Sequence, residues 1–521
     1  MSDAEPAGDV SKLPQDPAAL TALLLAERQL RRELSDEVAR LSAIVAAFRR
    51  ALFGRRSEKL DPDQLELALE DIEQEIAAQH AERDAGDATL KATRLAHRRA
   101  NRGALPKHLP RTEIVVEPDS LACGCCGGTL HAIGEDVSER LDVIPAQFQV
   151  LVTRRPKYAC RRCAEGVVQA PAPERLVAGG LPTEAMVAHV LVGKYADHLP
   201  LYRQVQAYAR QGLALDRSTL ADWVGHAARE LRPVHARLVE VLKTSPILFM
   251  DETRAPVLDP GRGRTKTGWL WAMARDHRPW GGADPPAVAY LYAEGRGAEY
   301  AAAHLDGFNG VLQVDGYAAY RGLADPKRGA AAVTLAYCWS HCRRKFYDIA
   351  EDGDAPIAEE ALQRIGRLYA VEADIRGANP EVRQALRQVC SKPIVDELRP
   401  RLEAQLTRVS ARSRIAEAIR YALKHWTGLL RVLEDGRVEL DTNTVERAIR
   451  PIALNRKNAL FAGSDSGAEH WAVIASLVET CKLNRVDTHA YLTDVLERLV
   501  DGHLQSRIDD LMPWAYASAP V

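Results

Sequence analysis

Between residues 245 and 337 the chain alternates short apolar runs with polar, glycine-rich breaks. The runs fall at 245–250, 268–274, 287–293, 310–314 and 331–337, each about the length of a buried strand. A helical spacing covers 296–304, and another helix begins near Cys338. Outside this region the period is that of helices. Residues 182–243, 351–435 and 468–511 read as helical, the middle stretch being rich in Arg, Leu and Ala. Residues 17–53 also read as helix. There Leu34, Val38, Leu41, Val45, Phe48 and Leu52 follow 4-3-4-3-4 spacing, a coiled-coil seam of about two and a half heptads. Leu20 and Leu24 extend it, but Glu27 and Arg31 interrupt. The seam implies either dimerisation or packing on the protein's own body. A second, acidic helix covers roughly 62–83.

From 245 the element order is β-β-β-α-β-α-β-α, the order of a ribonuclease H-like core. The helical stretch 351–435 then interrupts that core before its closing helix. The expected fold class is multidomain α/β. Its parts are a disordered start and coiled-coil helices (1–90), a basic linker (91–112) and a cysteine-bearing domain (113–175). A helical region follows (176–243), then the first part of the core (244–350) and the α-helical insertion (351–435). The closing segment (436–467) and a helical tail (468–521) complete it. Within the helical region, Gln211-Gly-Leu-Ala-Leu-Asp216-Arg-Ser218 has the form helix, glycine turn, capped helix. Asp216 or Ser218 can cap the second helix, as in a helix-turn-helix, although helical hairpins with such turns are common.

At 521 residues the chain is too long for one core. With 46% hydrophobic and 27% charged residues it is ordinary for soluble protein. No apolar run approaches the roughly 20 residues of a membrane span. The acidic N-terminus lacks a signal-peptide core, so a cytoplasmic location is expected and no membrane partner. The net charge of −2 does not mark a nucleic-acid binder, but local charge does. Residues 91–111 carry Lys91, Arg94, Arg98, Arg99, Arg102, Lys107 and Arg111 without an acid. Two further clusters are Arg343, Arg344 and Lys345, and Arg447, Arg450, Arg456 and Lys457. Such clusters suit phosphate backbones through counterion release, or are solvated faces.

Candidate chemistry centres on three acids. Asp251 ends the run from Ser245, Asp315 ends the run from Gly310, and Glu446 lies in the first turns of a helix. Three carboxylates gathered together cannot all stay ionised without a cation. A divalent metal pair about 3.5–4 Å apart activates water and stabilises the leaving oxygen of a phosphodiester. Glu252 is turned to the other strand face by alternation. Asp441 reads as the cap of the helix carrying Glu446. Asn443, on the same face as Glu446, can support the site or be a second cap. Cys338 and His341 suggest metal, but two ligands are too few. His341 reads instead as a phosphate contact or a buried histidine. Trp426 is a base-stacking candidate or helical core. Two Cys-x-x-Cys pairs, Cys123/Cys126 and Cys160/Cys163, suit tetrahedral structural zinc, the alternative being free thiols in a small β domain.

The chain resembles the insertion sequence 66 family of bacterial transposases. The resemblance runs along nearly the whole chain. It rests on Leu52-Phe-Gly-Arg-Arg-Ser-Glu-Lys59, the paired Cys-x-x-Cys, and Lys194-Tyr-Ala-Asp-His-Leu-Pro-Leu-Tyr202. It continues through Asp315-Gly-Tyr, Cys338-Trp-Ser-His, Arg343-Arg-Lys-Phe346 and Arg456-Lys-Asn-Ala-Leu-Phe-Ala-Gly-Ser-Asp465. It implies a DDE recombinase with a ribonuclease H-like core, two magnesium ions (manganese substituting) and an α-helical insertion. Its acidic triad falls on Asp251, Asp315 and Glu446, and its zinc ligands on Cys123, Cys126, Cys160 and Cys163. A Cys-x-x-His pattern seen in several such transposases matches Cys338 and His341. The family reads Asp-Asn-Asn before the catalytic Glu, whereas Thr442 replaces the first Asn here; Cys125 and Cys342 also depart.

The implied reaction is hydrolysis at an element end followed by transfer of the freed 3′-hydroxyl to target DNA. Expected partners are the element's terminal repeats, target DNA, another copy of the chain and accessory proteins of the same element. The expected place is the bacterial cytoplasm, at the nucleoid. A DNA-binding regulator without catalysis is the rival reading, and an unrelated metal nuclease a third.

Overall fold

In this computed structural model the described residues are 147–517 without 160–166 and 260–263, plus scattered positions before 147. The chain divides into two units, Met1–Ala146 and Gln147–Val521. The heptad seam of 34–52, most of the basic stretch 91–111 and the four paired cysteines lie outside the described residues. The second unit holds the sheet and both apolar cores.

A two-stranded sheet comes first, β1 (Lys157–Ala159) antiparallel to β2 (Val167–Gln169). Three helices come next: α1 (Glu184–Tyr195), α2 (Leu201–Ala209) and α3 (Arg217–Lys243). The turn between α2 and α3 uses Gly212 at φ 80°, a conformation that favours glycine. Asp216 occupies the cap position of α3, but its side chain makes no capping hydrogen bond. Helix α3 buries Leu220, Trp223, Leu231, Leu238 and Leu242, so it is a core element along its length.

The main sheet has five strands: β3 (Ile247–Asp259), β4 (Arg264–Arg275), β5 (Ala287–Ala293), β6 (Val311–Val314) and β7 (Thr334–Tyr337). Their spatial order is β5-β4-β3-β6-β7. The first three are antiparallel neighbours, and β6 joins β3 and β7 in parallel. All five strand-like runs are therefore strands. Helix α4 (Ala298–His304) lies between β5 and β6. Between β6 and β7 the expected α-helix is instead two 3₁₀ helices, Ala318–Ala324 and Pro326–Ala331. Pro326 and Gly329, the latter at φ 56°, break the segment. The run ending at Asp251 also does not end a strand there, because β3 continues eight residues further to Asp259, paired with β4.

Helix α5 (Trp339–Ala350) follows β7 directly. The helical stretch then contains α6 (Pro356–Ile375), α7 (Pro380–Leu386), a π-turn at Arg387–Ser391, α8 (Lys392–Leu406), α9 (Arg414–Lys424), α10 (Trp426–Leu429) and α11 (Arg431–Glu434). The chain closes with α12 (Asn443–Ala459), α13 (Asp465–Leu483), α14 (Thr488–Val500) and α15 (Pro513–Ala517).

Two apolar cores result. One joins α1 and α3 to β3, β4, β5, α13 and α14, so both chain ends of this unit share it. The other joins α5 to helices α6, α8 and α9 and includes Trp426, which is core packed edge-on against Trp339. Among the described residues no helix is long and apolar enough to cross a membrane.

Candidate active site

Strand register brings the two aspartates together. Ile247, Leu248 and Phe249 of β3 pair in parallel with Val311, Leu312 and Gln313 of β6. Continuing that register by two residues sets Asp251 beside Asp315. Strand β6 stops at Val314, and Gly316 at φ 98° turns the chain away. Beyond this point β3 has no β6 partner, and helix α12 packs against β3 there. Glu446 sits in the first turn of α12. After α12, the Ala462 amide donates to Pro256 O at 2.9 Å and the Leu258 amide donates to Ala462 O at 2.8 Å, tying the helix's end to the outer part of β3.

One oxygen of each carboxylate is held by a neighbour. The Glu252 amide donates to Asp251 Oδ1 at 2.8 Å, and the Tyr317 amide to Asp315 Oδ1 at 2.7 Å. The Thr442 hydroxyl donates to Glu446 Oε1 at 3.0 Å. Thr442, the residue that departs from the family pattern, therefore orients the acid it precedes. Burial above all, and then the charges of Glu252, Asp315 and Glu446, push the Asp251 carboxyl up to about 8. Burial and the Asp315 charge raise Glu252 to about 7, against the Tyr320 hydroxyl and Arg296. This acid crowding and the hard oxygen donors fit a divalent cation such as magnesium. Asp251, Asp315 and Glu446 are the groups that would hold it. The three do not all offer ligand oxygens within 4.8 Å of one another; among the described residues only Cys338, His341 and Glu446 form such a group. A pair of ions would not need all three acids on one ion, and would supply activation of the attacking oxygen and charge neutralisation at the phosphoryl group.

Strand alternation does turn Glu252 away from Asp251: it accepts from the Tyr320 hydroxyl at 2.8 Å, with Arg296 Nη2 at 3.4 Å. Yet among neighbouring charges it is the foremost one raising Asp251. Alternation separates faces but leaves adjacent carboxyls only a few Å apart. Asn443 donates to Asp441 Oδ2 at 2.7 Å, and Asp441 Oδ1 accepts the Asn443 amide at 3.1 Å. The two clasp the start of α12, with Thr442 in the cap position. Cys338 is buried and accepts the Thr442 amide at Sγ, 3.3 Å away. His341 Nδ1 lies 3.7 Å from Glu446 Oε1.

The basic residues divide. Arg447, Arg450, Arg456 and Lys457 share α12 with Glu446, and Arg447 and Lys457 are exposed. Arg344 and Lys345 are exposed on α5, while Arg343 is half-buried over the Tyr347 ring. Sequence reasoning missed a groove of about 380 Å³ lined by Glu252, Thr253, Arg254, Pro256, Trp269, Arg296 and Arg456. Arg456 donates to the Arg254 carbonyl and to Thr253 Oγ1. Arg296 stacks on Trp269 and Tyr317, 4.7 and 3.9 Å from the ring centroids, and its Nε is buried without a hydrogen-bond partner. No local motif announces this groove, because its residues come from four separate segments.

The model of the Transposase IS66 family matches residues 179–470, spanning the sheet, the helical block and all three acids. The chain belongs to the IS66 family of transposases. Further IS66 models match along its length. They are the zinc-finger binding domain of transposase IS66 (residues 120–164), the IS66 C-terminal element (476–514) and Transposase C of IS166 homeodomain (40–114). The zinc-finger match includes Cys123, Cys126, Cys160 and Cys163. Similar proteins of Sinorhizobium fredii match most of its length. Uncharacterized protein y4jD is 46% identical over 94% of this chain and 97% of its own length. Uncharacterized protein y4qI is 43% identical over 97% and 98%, and uncharacterized protein y4hP 37% over 91% and 88%. In this IS66 chain the family region ends within α13, so the buried helix beside the sheet belongs to two matched segments.

Proposed function

We propose that this IS66-family chain is a DDE-type DNA transposase with a ribonuclease H-like catalytic core. The observation that carries this reading is the strand register that aligns Asp251 with Asp315, together with the helix that brings Glu446 to the same open edge of β3. The substrate is a DNA phosphodiester at an element end. Its hydrolysis leaves a 3′-hydroxyl, which then attacks target DNA in line. Asp251, Asp315 and Glu446 hold magnesium or manganese, which when bound lowers the pKa of the attacking hydroxyl and neutralises charge on the phosphoryl oxygens. The chain's own contribution is placement. Tyr317, Thr442 and the Glu252 amide fix the carboxylates. Arg447, Arg450 and Lys457 on α12, and Arg343, Arg344 and Lys345 on α5, hold the DNA backbone without reading sequence. The groove of Arg254, Arg296 and Arg456 lies at Glu252 and suits the phosphates flanking the cut. Structural zinc on the paired cysteines and an N-terminal coiled coil that dimerises the chain complete the proposal, with terminal-repeat reading assigned to the segments before 245.

The test is strand transfer on a labelled element-end duplex with magnesium or manganese. Wild type is expected to cut and join. Glu446→Gln is expected to lose more than the roughly 100-fold that removal of an outer ligand partner costs, with end binding retained. Equal strand transfer by wild type and Glu446→Gln would overturn the assignment of Glu446. Binding without reaction by wild type, even with the element's accessory proteins added, would favour a regulator.

A further inference from the structure

We propose that Cys338, His341 and Glu446 form a binding site for a divalent cation of the zinc class, a donor set that overlaps the all-carboxylate set only at Glu446. Cys338 and His341 alone offer too few ligands. Folding supplies the third from α12. The sulfur, a ring nitrogen and a carboxylate oxygen of these side chains lie within 4.8 Å of one another, and no other trio among the described residues does so.

Two further observations point to a cation there. His341 Nδ1 is buried and makes no hydrogen bond, although Glu446 Oε1 stands 3.7 Å away. A buried ring nitrogen left unpaired is costly, and a metal ion would satisfy it. The Cys338 sulfur faces backbone donors. It accepts the Thr442 amide at 3.3 Å, and helix α5 starts at the residue after it while α12 starts at the residue after Thr442. Two helix N-termini thus meet at one sulfur and turn backbone amide donors toward it. Binding through the thiolate releases one proton from Cys338 to solvent and changes no oxidation state.

The donor chemistry selects the ion. Sulfur, nitrogen and one carboxylate oxygen with an open fourth position suit zinc, and the same set suits magnesium poorly, since magnesium demands oxygen ligands in octahedral array. Both sets share Glu446. On the transposase reading, an ion held by Cys338 and His341 therefore withdraws Glu446 from the acidic centre and lowers activity.

The test counts zinc. The full chain is equilibrated with micromolar zinc chloride in excess magnesium and desalted, and zinc per chain is measured by elemental analysis. Wild type is expected to hold one zinc more than His341→Gln and one more than Cys338→Ser, while Cys390→Ser, at an exposed cysteine, matches wild type. Cobalt(II) loading adds a readout of the sulfur ligand, with a thiolate charge-transfer band stronger in wild type than in Cys338→Ser. Because Cys338 is buried and its replacement can disturb the fold, the partly exposed His341 decides the matter. Equal zinc content in wild type and His341→Gln overturns the proposal. The count uses no DNA, so a chain that binds the extra zinc but never transfers a strand sinks only the transposase reading.

Discussion

The two ends of the main sheet are finished in different ways. At the β5 edge, helix α13 lies buried on nearly all sides and stitches the strand with hydroxyls. The Tyr290 amide donates to Ser476 Oγ at 2.7 Å, and the Val288 amide to Thr480 Oγ1 at 3.2 Å. Thr480 Oγ1 in turn donates to Val288 O at 2.9 Å. Edge strands with unpaired backbone groups are aggregation hazards, and this edge is closed with neutral groups. At the β7 end the helical block is fastened with charge. Arg387 donates to both Glu372 oxygens at 2.7 Å, and Arg383 bonds Glu372 at 3.2 Å and Glu439 at 2.6 Å. Both arginines are fully buried.

The charged end also reaches the acids. Gln313, two residues before Asp315, exchanges two hydrogen bonds of 2.9 Å with the Glu439 backbone. The Tyr421 hydroxyl donates to Asp315 O at 2.7 Å, and the Trp339 amide donates to Leu440 O at 3.0 Å. The difference teaches that the β5 side reaches the helix of Glu446 through one hydroxyl, from Tyr290 to Ala448 O, whereas the helical end contacts Asp315 and the segment leading into α12 through several polar groups. Several buried polar pairs acting together suit that second task because their geometry is directional and their partners polarise one another.

The largest expected effect tests the charged end. Glu372→Ala takes the carboxylate partner from buried Arg387 and one of two from buried Arg383, and should cost about 3–5 kcal/mol in urea unfolding; a loss as small as that of a surface mutant would show the network to be incidental. Next comes Gln313→Ala, which leaves the Glu439 amide and carbonyl unpaired. It should cost about 2–3 kcal/mol and, in excess of that, reduce strand transfer more than tenfold with DNA binding retained. Ser476→Ala at the opposite edge should cost about 1–3 kcal/mol and leave the turnover of the folded fraction unchanged. If Ser476→Ala slows turnover as much as Gln313→Ala does, the contrast between the two ends fails.

The smallest effect is electrostatic. The Asp251 carboxyl lies above its unfolded value of 3.8, at about 8. Between those two values the folded chain holds a proton that the unfolded chain has lost. Metal-free stability therefore falls as pH rises through that window. Asp251→Asn should remove this slope and be about 1–3 kcal/mol more stable than wild type at pH 8 without divalent ions. Thermal unfolding from pH 5 to pH 8 measures it. Magnesium should stabilise wild type more at pH 8 than at pH 6, and a flat response would deny Asp251 a place among the ligands.

Much of the fold was legible in the chain. Strands β3 to β7 announce themselves as apolar runs because they are buried on the sheet, and Asp315 reads as a strand-end acid because Gly316 forces the turn. The extent of β3 was not legible. Its outer half is partly exposed and mixed in polarity, and only pairing with β4 makes Asp251 an interior strand residue. Between β6 and β7 the composition suggests an α-helix, while Pro326 and Gly329 decide the form that the segment takes.

By itself, then, the sequence determined the strand and helix periods, the three acids and the cysteine pairs, since each is a local pattern of residue types. Tertiary structure alone decided which side chains meet. It set Asp251 beside Asp315 through register, brought Glu446 to both His341 and the aspartates, and gathered Arg254, Arg296 and Arg456 around one groove. Such meetings depend on pairing and packing between segments far apart in the chain, and no local pattern encodes them.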